Sequence, residues 1–168
     1  MKVQATYKGK TVEIDIPDEK LEELVKEQKK TGWEKPVWGQ TYWFIDELGE
    51  VEGKDWKDDE LDEKRYACGN CFTSKELAEN IARYTSLDRR IRRRIAEICE
   101  PIQWRSGSRK WHIIWNHNTN FMIIDWIDSA VEYAKWNFDT KEHAEQIIEE
   151  FNDELTWFFA EFKDRMDV

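Results

Sequence analysis

The chain opens on an alternation of apolar and polar positions. Val3-Gln4-Ala5-Thr6-Tyr7 and Thr11-Val12-Glu13-Ile14-Asp15-Ile16 flank Lys8-Gly9-Lys10, a period of two around a glycine turn that predicts a β-hairpin. Pro17 and Asp18 end it and begin a short helix over about 18–30, with Leu21, Leu24 and Val25 on one face. Thr31-Gly32 stops that helix, and Gly32 to Gly39, containing Pro36, reads as a linker.

Two later stretches repeat one another. Phe72-Thr73-Ser74-Lys75-Glu76-Leu77-Ala78-Glu79-Asn80-Ile81 aligns with Phe138-Asp139-Thr140-Lys141-Glu142-His143-Ala144-Glu145-Gln146-Ile147, with Phe, Lys, Glu, Ala, Glu and Ile identical. Each copy offers a capping box, Thr73 with Glu76 and Asp139 with Glu142, and so marks a helix start after a strand ending in Phe. Strand-like segments precede each: Thr41–Asp46, Glu50–Asp55 and Tyr66–Phe72 in the first copy, then Trp111–Asn116, Phe121–Trp126 and Val131–Phe138 in the second. The unit is β-β-β-α, present twice, and two such units can pair their sheets or stack their helices. In the first copy, Leu77, Ile81, Tyr84, Leu87, Ile91, Ile95 and Ile98 make a long amphipathic stripe that Pro101 ends. The second continues through Leu155, Phe158, Phe159 and Phe162, a tail that must pack on its own core or on a second subunit of a homodimer.

The expected fold is therefore α+β: an N-terminal hairpin and helix (1–35), then two β-β-β-α repeats with antiparallel sheets (36–101 and 102–168).

Charge divides the chain into three. The net charge is −10, yet residues 83–110 carry 9 basic and 3 acidic side chains, a band at +6 between acidic lobes at −7 and −9. Such a field bears on association and partner choice. Charged residues reach 37% and no apolar run approaches the roughly 20 residues a span requires, so no membrane partner is expected. The opening residues lead into a strand pattern rather than a signal peptide, which points to the cytoplasm where the chain is made.

Candidate chemistry is sparse. Cys68-Gly69-Asn70-Cys71 has the spacing of half a zinc site, with Cys99 and His112 available to complete it, but a second close ligand pair is missing and no metal ligands are assigned. Asp46, Glu52 and Lys54 loosely match the carboxylates and lysine of metal-dependent nucleases, a pattern common by chance in so charged a chain. No catalytic residues and no cofactor are assigned, and a non-enzymatic protein is expected. The run Asp58–Glu63 reads as a solvated loop and a secondary contact candidate. The basic band carries the main hypothesis. Arg89, Arg90, Arg92, Arg93 and Arg94, with Trp104, Arg105 and Arg109, could anchor a partner, or the arginines could neutralise the acidic lobes.

Several segments carry a resemblance: Tyr7-Lys8-Gly9-Lys10, Thr31-Gly32-Trp33-Glu34, Tyr42-Trp43-Phe44-Ile45-Asp46 with Gly49-Glu50-Val51, Gly69-Asn70-Cys71-Phe72-Thr73, Trp111-His112-Ile113-Ile114 and Thr140-Lys141-Glu142-His143-Ala144. In these the chain resembles small accessory proteins of phages and mobile elements of Gram-positive bacteria. The resemblance implies a dispensable phage gene, and such genes often encode inhibitors of host defence, including anti-CRISPR proteins; a stoichiometric inhibitor of a host defence nuclease is therefore expected. Its expected partner is a host defence protein or nuclease complex, including its guide RNA or DNA. The alternative is a nucleic-acid-binding factor for phage replication or transcription.

Overall fold

A computed structural model describes residues 2–7, 10–15, 31–102, 105, 107–128 and 134–162. The fold is α+β with antiparallel sheets. β1 (Lys2–Tyr7) and β2 (Lys10–Asp15) form the expected hairpin, with Lys2 opposite Asp15 and Tyr7 opposite Lys10. The helix expected over 18–30 lies outside the described residues.

β3 (Thr41–Ile45) and β4 (Val51–Asp55) form a second hairpin. Alternation sends Tyr42 and Phe44 inward to a small core with Trp56 and Cys71. On the other face, Trp43 lies across Gly53. A Cβ on Gly53 would meet the indole at 2.8 Å, so glycine lets the ring cover the partner strand.

The next segment departs from expectation. Asp58–Glu63 is not a solvated loop and Tyr66–Phe72 is not a strand: α1 (Glu60–Ala67) runs through both, capped by Asp59, whose carboxylate accepts from the Asp62 amide. Its apolar period is silent because the one residue it buries is an acid, Asp62. Of the expected strand only Phe72 pairs, as an isolated bridge with Trp43. Beside it the Asn70 side chain both accepts from the Ile45 amide (2.8 Å) and donates to its carbonyl (2.7 Å), extending the strand with an amide side chain. Nor is Gly32–Gly39 a free linker. Gly32 and Pro36 are buried, the Gly32 carbonyl accepts from the Thr73 amide, and Trp33 packs on Phe72 with ring centroids 4.9 Å apart.

α2 (Lys75–Ile98) follows, then β5 (Arg109–Asn116), β6 (Phe121–Asp128) and β7 (Asn137–Phe138), which form a sheet in the order β6-β5-β7. The strand expected over Val131–Phe138 is reduced to Asn137 and Phe138, with 131–133 outside the described residues. α3 (Lys141–Trp157) departs from helical geometry at Phe151 and runs into a π-helical turn, Phe158–Phe162. Neither expected capping box forms. Ser74 and Thr140 cap α2 and α3, their hydroxyls accepting from the amides of Leu77 and His143. The caps sit one residue later because Thr73 is bonded to Glu34, and the Asp139 carboxylate is taken by Glu100 and His143.

The two hairpin sheets stay separate, and the long helices stack. Leu87 and Ile91 of α2 enter the same core as Ile113, Phe138, Ile147 and Leu155. The aromatic tail closes on this core: Tyr84 stacks on Phe158, Trp115 on Phe159 and Trp157 on Phe162, with centroids 5.1–6.2 Å apart. The chain's own core thus covers the tail.

Candidate functional site

The arginine band lies mostly on the polar side of α2, opposite a stripe that buries Ala78, Leu87 and Ile91. The arginines do not form one free cationic surface. Arg94 holds Glu150 of α3 bidentately, at 2.9 Å to Oε2 and 2.8 Å to Oε1, and also reaches Glu97. The Glu150 carboxyl is kept below the ordinary range by this pair and then by Gln146. Arg90 bonds Glu154 and lies over the Phe151 ring. Arg92 pairs with Asp88 one turn back. Neutralisation of the acidic lobes, one of the two readings of the basic band, therefore describes Arg90 and Arg94, while Arg92 is paired within the band.

Arg89 and Arg93 remain. Both are exposed, and neither makes an ion pair, hydrogen bond or ring contact with any described residue. Arg89 borders a cleft of about 520 Å³ between α2 and the β3–β4 turn, with Ile45, Leu48, Phe72 and Ile81 as apolar wall. Asn70 also lines the cleft, but its amide is committed to Ile45. The helix stacks on α3 and its first turns pack against β3 and β4, so the arginines are carried on a braced element.

The other expected contact residues lie elsewhere. Arg109 opens β5, with its guanidinium over the Trp126 ring at 4.3 Å. Arg105 is exposed in the preceding loop, and its carbonyl accepts from the buried Lys110 ammonium at 3.0 Å. Trp104 lies outside the described residues.

The nuclease-like pattern does not assemble. The Asp46 carboxylate accepts from the amides of Leu48 and Glu50 and so closes the β3–β4 turn. Lys54 is held by Asp59 and Asp62. Glu52 stands exposed opposite Phe44.

Cys68 and Cys71 also part. Cys68 is exposed at the end of α1, while Cys71 lies in the small core, where burial pushes its thiol up to about 11. Cys99 and His112 do not complete a site with them. Cys99 sits instead beside Asp139 and His143, with one potential ligand atom from each within 4.8 Å of the others.

Asp62 is a polar centre with no apolar signature in the sequence. Fully buried, it accepts from the Tyr42 hydroxyl (2.7 Å), the Lys54 ammonium (2.8 Å) and the Lys57 amide (2.8 Å). Burial pushes the carboxyl up, but these donors outweigh it and hold it down to about 2. Arg65 completes the group, donating to the Tyr42 hydroxyl and stacking on Phe44 at 3.5 Å.

No helix among the described residues is long and apolar enough to cross a membrane. No protein-family model, curated protein or solved structure matches this chain.

Proposed function

We propose that this chain is a non-enzymatic accessory protein of the phage type that acts by stoichiometric binding, holding a host defence nuclease through an acidic patch on that partner. The observation that carries this reading is the pair Arg89 and Arg93, exposed and without a partner among the described residues, on a helix whose neighbouring arginines Arg90, Arg92 and Arg94 are internally paired. An exposed guanidinium beside an apolar cleft suits an interface anchor, and desolvation by a partner strengthens its pairing with a carboxylate. Binding to a nucleic-acid backbone is less favoured. It draws affinity from many released counterions, and internal pairing removes Arg90, Arg92 and Arg94, three of the five candidate arginines of α2, from that role.

The test captures the tagged protein's partners from host lysate, with and without nuclease treatment, alongside the double reversal Arg89→Glu/Arg93→Glu. The reading expects a stoichiometric protein that survives nuclease treatment and is lost on reversal, with thermal unfolding of the variant unchanged. Capture that is indifferent to the reversal would remove these residues from the interface. Capture of nucleic acid alone, lost at moderate salt, would move the replication or transcription alternative into first place.

A further inference from the structure

The C-terminus of α2 and the N-terminus of α3 meet at three side chains of different donor chemistry. Cys99 is the residue that ends α2, its amide still bonded to the Ile95 carbonyl. Asp139 immediately precedes the Thr140 cap of α3. Its carboxylate accepts from two backbone amides, Glu100 and Thr140, each at 2.9 Å. His143 lies in the first turn of α3, its Nδ1 2.6 Å from Asp139 Oδ1. Sulfur, imidazole nitrogen and carboxylate oxygen thus converge from two elements onto one half-buried spot, all within 4.8 Å of one another.

The molecule carries its own control for this junction. Sixty-six positions earlier, the repeat places Thr73 and Leu77 where Asp139 and His143 stand, and Trp33 lies against that junction through Phe72. There the junction closes through aromatic, aliphatic and hydroxyl–carboxylate contacts. Trp33 packs on Phe72, Thr73 bonds Glu34, and Leu77 lies where it would meet any Cβ on Gly32. The helix cap itself is the same in both, a hydroxyl accepting from the third amide. A helix start in this fold therefore does not require the trio, and two of the second copy's departures from the first, Asp139 for Thr73 and His143 for Leu77, each introduce a potential ligand beside Cys99.

We propose that Cys99 Sγ, Asp139 Oδ and His143 Nδ1 form a binding site for a transition-metal cation of the zinc type, joining α2 to α3. Sulfur and imidazole select a borderline-soft ion over magnesium or calcium, which take oxygen ligands. Metal–ligand bonds of about 2.0–2.3 Å in tetrahedral geometry place ligand atoms roughly 3.3–3.6 Å apart, so small side-chain rotations suffice. Binding releases the thiol proton to solvent, and three protein ligands leave one coordination position for water. The two amides on Asp139 orient its carboxylate for this role. A bound ion would fix the end of the arginine-bearing helix, and the site stands whether or not those arginines meet a partner.

Titration of the reduced full chain with Co²⁺ tests the site, because cobalt in a thiolate site shows both visible ligand-field bands and a near-ultraviolet sulfur charge-transfer band. The expected result is one equivalent bound, displaced by Zn²⁺, with the charge-transfer band absent in Cys99→Ser and kept in Cys68→Ser/Cys71→Ser. His143→Leu, which installs the residue of the first junction, should weaken cobalt binding at least tenfold. No charge-transfer band in the unmodified chain would overturn the proposal. So would a band that survives Cys99→Ser, or cobalt affinity unchanged in His143→Leu.

Discussion

The two hairpin-and-helix units begin their helices in the same way and are backed in different ways. At both helix starts a Phe pairs with the first strand of the hairpin, Phe72 with Trp43 and Phe138 with Trp111. At both, a Ser or Thr cap follows two residues later, and a Lys–Glu pair spans the first turn, Lys75–Glu79 and Lys141–Glu145. Behind this common junction the units diverge. The first hairpin, with five-residue strands, rests on α1 through the hydrogen bonds of Asp62 and a small core of Tyr42, Phe44, Trp56 and Cys71. The second, with eight-residue strands, rests on a large apolar core of stacked rings. A junction set by caps and a paired Phe is local and reusable, whereas the backing depends on which segment lies behind the sheet.

Substitutions at four positions sharpen or break that contrast. The largest effect is expected from Phe158→Ala, which empties a site shared by Tyr84, Trp136 and Phe159. Urea unfolding should register a loss of about 3–5 kcal/mol. A loss under about 1 kcal/mol would mean that the rings are not the second unit's main support.

Next comes Asp62→Ala, which leaves the Tyr42 hydroxyl and the Lys57 amide without their acceptor and should cost about 3 kcal/mol. The pH dependence follows the same group. Its folded pKa, about 2, lies below the ordinary value near 3.9, so its contribution is complete above about pH 4 and is lost as pH falls toward 2. Acid titration of stability should therefore be shallower between about pH 4 and 2 in Asp62→Asn than in the unmodified chain. Parallel curves would assign the acid sensitivity to other carboxyls, Asp139 first among them.

The smallest effects are those of Ser74→Ala and Thr140→Ala, each about 1 kcal/mol. Near-equal losses support a common junction. A loss at one cap and none at the other would show that the two helix starts resemble each other in shape alone.

The parts legible in the sequence are those whose cause is local. Alternation located three hairpins to within a few residues, and the stripe from Leu77 to Ile98 located α2, because strand and helix periods act on neighbouring residues. α1 was hidden because hydrophobic periodicity cannot signal a helix that buries only an aspartate. Tyr66–Phe72 looked like a strand from its aromatic ends, while its backbone was committed to the end of that helix. At the candidate site the arginines were legible but their partners were not, since Glu150 and Glu154 lie 56 and 64 positions from Arg94 and Arg90. The Cys99 cluster escaped for the same reason. Its only trace in sequence is that the second copy has Asp139 and His143 where the first has Thr73 and Leu77.

α2 begins as the helix of the first unit and ends as a wall of the second unit's core, through Leu87 and Ile91. A chain cut after Pro101 would carry that wall away from the rings it covers, and the remaining half would begin life with an open face. The doubled pattern visible along the chain is thus not a pair of separable modules. Either half expressed alone should aggregate, and substitutions along α2 should be felt in both.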